Sequence, residues 1–504
     1  MATFNSVGTY DASARIPEFR GLMQYGDGIN ADPRYAVVAR NMETTGGVLQ
    51  PAAACTLLAA SLPAPIETLA RLHRRWYTGN ESKDILVAAS GGKLYSMLPD
   101  ANSWTELTMP SGISSYQSNV WSWVTYEINP VGSSASVDVL LLSNAVDGMV
   151  MVRGDNMTVS TVATPKKFGV IERYAERIWG GAITDDPDML VYSTPFDPTN
   201  WSANVEQPAD GAGDINQPSW DGDSFTALRA FGSQLIAFKK TRVWRILGTD
   251  PGEYTFKEQY GGGAPYSATI AVDSERIFML TNQGIVVYDG LAVSPFQQEY
   301  AEQVFDRMNT SALDKACACV WHGKLYCALP LDGSPINNAV LVYNTVDNTW
   351  LLREDVSVES FLTTDDAIWF TSATTPGRVW LWREDSWETG AATDRACQWV
   401  SPWNDLGLKN VVKGGFEVYL LCEVQTEPVT LSVSIQTEKK IKTKQYTVQP
   451  LTAAQIAKDK GFKQKRLHFG GTGRRFRLMI DAPAGTPAWR IVGGIQMVAE
   501  IDPD

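Results

Sequence analysis

Histidine is nearly missing from this chain: His73, His322 and His468 are the only three among 504 residues. A Ser–His–Asp site or a histidine-rich metal centre therefore has few ways to form. Cysteine is almost as sparse. Cys55, Cys317, Cys319, Cys327, Cys397 and Cys422 are scattered through the chain, which argues against a disulfide scaffold. Cys317 and Cys319 stand two apart in KACACVW. On a strand they share one face, and they read as small buried apolar residues rather than ligands. No apolar run approaches the roughly 20 residues of a membrane helix. The opening MATFNSVGTYDASARIPEFRG lacks the basic start and apolar core of a secretion signal. The expectation is a chain folded in a cytoplasm, with no membrane partner. Basic residues are outnumbered, 43 Lys and Arg against 56 Asp and Glu, for a net charge of −13. That argues against general, sequence-independent DNA binding. It suits a surface past which DNA moves without adhering.

Catalytic signatures are missing too. There is no GxSxG elbow, no GxxxxGK[ST] phosphate loop and no HExxH. YGGGAPY (260–266) reads as a linker. Asp185, Asp186, Asp188 and Asp197 cluster in TDDPDMLVYSTPFDPTNW, and some glycosidases are propellers. Here Asp and Pro act as turn formers, and STPFDPTNW carries Pro where the sialidase-type repeat has Gly. Asp221 and Asp223, in PADGAGDINQPSWDGDSF (208–225), lack the spacing of a calcium loop and read as a solvated turn. The reading is no catalytic residue, no cofactor and no metal.

What the chain has is aromatics and glycine: 17 Trp, 18 Tyr, 17 Phe and 41 Gly. That pairing suits many short strands joined by tight turns. GKLYCALPLDGSPINNAVLVYNTVDNTW (323–350) is two apolar strands, a polar loop and a closing Trp. Similar hairpins recur along the chain. With Tyr95, Met151, Tyr192, Trp244, Tyr288, Tyr343 and Trp380 as markers, the gaps are 56, 41, 52, 44, 55 and 37 residues. A period of roughly 40–50 residues with several strands per unit is the pattern of β-propeller blades. One small sheet cannot bury both faces alone, and a closed ring of sheets can. The fold expected is all-β: a propeller of about seven blades over residues 63–390, with six or eight also compatible. A stack of β-sandwiches is the rival architecture. Residues 1–62, rich in Ala, Gly and Pro, read as an N-terminal docking segment.

From residue 391 to 504 the texture is that of a β-sandwich-like domain, with a short helix expected within 452–466. Glu438 to Arg477 holds twelve Lys/Arg and two Asp/Glu, a balance of +10, so the rest of the chain totals −23. Arg474, Arg475, Arg477, Lys463, Lys465 and Arg466 are the candidate basic docking strand. They serve either as solvated edge charges that discourage aggregation or as a face for an acidic neighbour or nucleic acid.

Three segments, in order, carry a resemblance. They are FRGLMQYGDGINADPRYAVVARNMETTGGVLQPAAAC near the start, ATIAVDSERIFMLTNQGIVVYDGLAVSPFQQEYAEQVFDRM in the middle, and KRLHFGGTGRRFRLMIDAPAGTPAWRIVGGIQMVAEI at the end. Together they resemble the tail hub or nozzle proteins of short-tailed bacteriophages, also called packaged-DNA stabilisation proteins. The resemblance implies a structural virion protein assembled in the host cytoplasm, not an enzyme. It implies a homo-hexameric ring below the portal and adaptor, in contact with other tail components, that continues and closes the DNA channel until ejection. Double-stranded DNA is then a transient passenger. Two other classes stay open. One is a receptor- or glycan-binding propeller, with Trp201, Trp220 and Trp403 as stacking candidates. The other is a propeller hydrolase using the carboxylates near Asp185–Asp188.

Overall fold

The computed structural model describes residues 10–25, 31–78, 81–129, 136–216, 222–259, 261–383, 387, 392–450 and 465–501. Lys463, Trp220, Asp221 and nearly all of the stretch 452–466 lie outside them.

Seven blades form, each a four-stranded antiparallel sheet. They span 66–106, 122–162, 170–216, 225–259, 271–295 and 317–354, and the seventh spans 360–382 plus one strand from elsewhere. All seven marker residues fall on the third strand of their blades. Each faces a second-strand residue in register: Tyr95 and Ala88, Met151 and Leu141, Tyr192 and Trp179, Trp244 and Ala237, Tyr288 and Ile277, Tyr343 and Leu325, Trp380 and Phe370. The uneven spacing comes from the connections, not from extra strands. The approach to blade 2 spends 107–121 on a loop, and the approach to blade 6 holds the helix Glu302–Asp306 and the 3-10 turn Thr310–Lys315.

Apolar side chains fill the space between neighbouring blades. Trp179, fully buried, packs with Tyr192, Leu228 and Ile246 between blades 3 and 4, while Ile236 and Phe238 meet Ile277 and Met279 between blades 4 and 5. This burial is what the recurring aromatics contribute, since neither face of a blade is stable against water alone.

The fourth strand of blade 7 is Cys55–Ser61, antiparallel to Arg378–Trp382. The ring is therefore closed by the N-terminal part of the chain. Val38–Arg40 does a second job. It lies parallel to Thr349–Glu354, the outer strand of blade 6, and antiparallel to Cys397–Val400. This makes one nine-stranded sheet, running from the inner strand of blade 6 to Ile441–Val448. Tyr10–Ile16 goes further and pairs with Trp489–Ile501. The structure thus distributes the described residues of 1–62 between propeller and C-terminal domain, and the expected boundary after residue 62 leaves a propeller strand on its far side.

The C-terminal domain is a β-sandwich. One layer is Cys397–Val400, Phe476–Ala482, Val429–Thr437 and Ile441–Val448; the other is Tyr10–Ile16, Trp489–Ile501, Lys413–Val424 and Lys465–Gly473. Alternation explains the layers. Phe416, Val418, Leu420, Cys422 and Val424 point inward along one strand, against Leu431, Val433 and Ile435 from the facing layer. Residues 413–448 hold three strands, the last of which, Ile441–Val448, is an edge with only Tyr446 buried.

Candidate functional site

The basic strand was expected to form one docking face. The structure separates its members. Arg474 and Arg475 sit in the tight turn between Lys465–Gly473 and Phe476–Ala482. The Glu438 carboxylate accepts from both of their backbone N–H groups at 3.1 Å, and it lies 3.5 Å from Arg475 Nε. The guanidinium groups of Arg475 and Arg477 lie over Trp403, at 5.6 and 4.8 Å. Arg477 Nε donates to Gln436 Oε1 at 2.8 Å, and burial draws its pKa below the ordinary arginine value. Lys465 and Arg466 stand at the other end of their strand, a separation of roughly 25 Å at the usual rise per residue. Arg466 pairs with Glu417, which also accepts from the Tyr419 hydroxyl at 2.6 Å. The Arg466 hydrogen bond is the main cause holding the Glu417 carboxyl below its usual pKa. Lys465 Nζ lies 5.5 Å from the Tyr446 ring.

Between these ends runs the exposed edge strand Ile441–Val448, with Lys442 and Lys444 on it and Lys439 and Lys440 in the turn before it. These four lysines were part of the +10 balance but were not singled out. Their signal was the alternation KKIKTK, which on an edge strand places charge where sheets would otherwise pair.

The other candidates are used locally. Lys166 pairs with Asp186, and the fully buried Lys239 pairs with Asp188. Asp197 accepts from Thr199 N and Oγ1 at 2.9 and 2.6 Å, the turn-forming role expected of it. Asp223 accepts from Thr241 N and Oγ1. Trp201 donates from Nε1 to Pro198 O at 3.1 Å and packs 5.1 Å from Phe168. All six cysteines are free thiols, and burial pushes Cys55 up to about 11 and Cys327 up to about 12. Such thiols are poor nucleophiles. Among the described residues no group of three His, Cys, Asp or Glu side chains is placed to hold a metal ion, and no helix is long and apolar enough to cross a membrane.

Sequence reasoning missed the charge inside the propeller. The first strands of the blades enclose an axial cavity of about 1180 Å³. Glu172 from blade 3 lies in its wall, 3.9 Å from Arg229 of blade 4. Burial raises the Glu172 carboxyl to about 7, opposed by Arg229 and by the backbone N–H of Arg173. Burial also raises Glu359 at one mouth of the cavity, with the nearby Glu67 adding to it and Lys315 opposing. Nothing in the local sequence around these residues marks them, because the ring brings them together from different blades.

No family model matches the chain, and no curated protein matches it. Solved structures do align. The WD40 domain of Pan2 from Neurospora crassa covers 67% of this chain and 95% of its own, at 10% identity and a TM-score of 0.39. BamB from Moraxella catarrhalis covers 74% and 99%, at 8% identity and 0.36. The β-propeller domain of the Trilobed protease from Pyrococcus furiosus covers 66% and 95%, at 11% identity and 0.31. Likenesses of this strength say nothing of function, and the propeller assignment rests on the seven sheets themselves.

Proposed function

We propose that the chain is a structural component of a bacteriophage tail, a hub or nozzle subunit whose copies ring the DNA path below the portal and adaptor. The observation that carries the reading is the interlock. One N-terminal segment closes the propeller, joins blade 6 to the sandwich and supplies the sandwich with an edge strand. Two bodies threaded by one segment and joined through one continuous sheet resist being pulled apart, which a subunit loaded by packaged DNA requires. The three ordered sequence resemblances support the same reading.

In this role the DNA path runs between copies and not through a propeller. A duplex advances about 3.4 Å per base pair and carries a major groove about 12 Å wide. The axial cavity of about 1180 Å³ cannot hold a useful length of it. The net charge of −13 suits a wall that DNA slides along. The ring is hexameric and the protein is non-catalytic in this reading.

The test is quantitative mass spectrometry of purified tailed particles, scaled to the major capsid protein. About six copies per particle is the expected result, with a ring below the portal in cryo-electron microscopy. A much larger multiple assigns the chain to a fibre or spike, and complete absence discards the virion reading.

A further inference from the structure

A cleft of about 560 Å³ opens where blades 6 and 7, the N-terminal segment and the sandwich meet. Its volume lies in the usual range for small-ligand sites, about 300–1,000 Å³. Its walls invert the charge of the chain: Lys324, Arg353, Arg383 and Arg490 stand against Glu43 and Asp366.

Two of these cations are built into the wall, with side-chain exposures of 8% for Lys324 and 4% for Arg353. Glu43 holds them at 3.3 and 3.0 Å. Burial opposes ionisation of Glu43, but Arg353 and Lys324 outweigh it and keep the carboxyl below its usual pKa. Arg353 also donates to the Met42 carbonyl, yet its Nε–H is buried without an acceptor. Arg490 is held in place through Nε by Glu423 at 2.5 Å.

A flat platform adjoins these cations. Trp321 donates from Nε1 to Thr364 O at 2.7 Å, which fixes its ring. His322 stacks on that ring at 4.0 Å and 15°. His322 and Gly323 have φ of 47° and 72°, the two positive values of a type I′ hairpin turn. The turn holds the exposed imidazole plane against the indole at the cleft.

We propose that this cleft binds a phosphorylated nucleotide, its base stacked on the outer face of His322, which the buried Trp321 backs, and its phosphate drawn to Lys324, Arg353 and Arg490. Bases stack on aromatic and imidazole faces whatever their sequence, and guanidinium groups match phosphate geometry. A free nucleotide and the 5′-phosphorylated end of a strand offer the same chemistry. The inference is independent of the virion reading.

Isothermal titration calorimetry on the full chain tests it, with dAMP, a 5′-phosphorylated single-stranded oligonucleotide, inorganic phosphate and glucuronate as probes. Saturable dAMP binding that weakens with salt is expected, with phosphate alone at least about tenfold weaker. His322→Asn keeps a residue suited to positive φ. It should weaken dAMP binding about tenfold with no change in thermal unfolding. Arg490→Gln should weaken both dAMP and phosphate. Tighter binding of the oligonucleotide, equally sensitive to His322→Asn, supports the proposal and assigns the strand end as source. Binding of dAMP alone supports it with the free nucleotide as source. No saturation by either nucleotide probe at millimolar concentration overturns it. So does dAMP affinity indifferent to His322→Asn, or glucuronate binding as tightly as dAMP.

Discussion

Trp382, on the third strand of the last blade, faces Cys55 of the N-terminal segment in register, and their strands close the propeller ring. Trp382 is nearly fully buried and packs 5.3 Å from Tyr326 of blade 6 and 6.3 Å from Phe370 of its own blade. Trp382→Ala therefore opens a cavity at the closure. A loss of about 3–5 kcal/mol is expected, read from the denaturant midpoint at unchanged m-value. A midpoint within experimental error of wild type would show that the closure contributes little.

Gly21 presses on blade 6. A Cβ there would lie 2.1 Å from the Trp350 carbonyl oxygen, and Leu22 N donates to that same oxygen at 2.7 Å. Gly21→Ala must push the segment off the blade, at a cost of about 1–3 kcal/mol. Thermal unfolding measures it, and an unshifted Tm contradicts the contact.

Asp188 neutralises Lys239, whose side chain has no exposure. Asp188→Leu alone should destabilise, by up to about 3–5 kcal/mol, because it removes a carboxylate partner of a buried cation, whereas Asp188→Leu with Lys239→Met should recover much of that loss. Chemical denaturation of the two variants measures how far Asp188 acts as the structural partner of Lys239, and no recovery in the double variant contradicts the pairing.

Glu172 titrates at about 7 in the folded axial cavity because burial disfavours its charge, against about 4.3 in an unfolded chain. The folded state therefore holds this proton more tightly. Its contribution is present below about pH 4 and is lost as pH rises towards 7. Glu172→Gln should be the more stable form above pH 7, match wild type near pH 4, and flatten the pH–stability slope between. An unchanged slope refutes the shifted titration.

The exposed lysines and the turn arginines should behave differently. If the chain is the tail subunit proposed above and docks through this edge, Lys440→Glu, Lys442→Glu and Lys444→Glu together should leave unfolding unchanged and reduce incorporation into particles. Arg475→Glu with Arg477→Glu should destabilise the monomer by about 1–2 kcal/mol, since both guanidinium groups lie over Trp403 and Arg475 adjoins Glu438. Normal incorporation of the lysine variant removes this edge as a docking surface.

The blades were legible because each repeats one local rule. The markers from Tyr95 to Trp380 all fall on third strands, though at different distances from the hairpin, so a single-sequence pattern exposed the unit. The closing strand was not legible. CTLLAAS has no partner nearby, and its pairing with Arg378–Trp382 is settled by the geometry of the ring. The basic residues were legible as charge but not as a site. Glu417 and Trp403, which help divide them between two ends of a strand, come from other parts of the chain, and only the fold sets Glu438 against the turn at Arg474 and Arg475. Glu172 and Arg229 belong to neighbouring blades, and the packing of blade 3 on blade 4 brings them together.

The order in which the chain is made gives that closing strand a further consequence. Cys55–Ser61 leaves the ribosome long before Arg378–Trp382 exists. At about 5–20 residues per second, it waits on the order of 15–60 s with its hydrogen bonds unmade. Tyr10–Ile16 waits longer still, for Trp489–Ile501. Blades 1 to 6 can fold as they emerge, while the ring stays open and its unpaired strands are available to other nascent chains. The same threading that ties the two bodies together thus makes newly synthesised protein the stage at which this molecule is most exposed to misassembly.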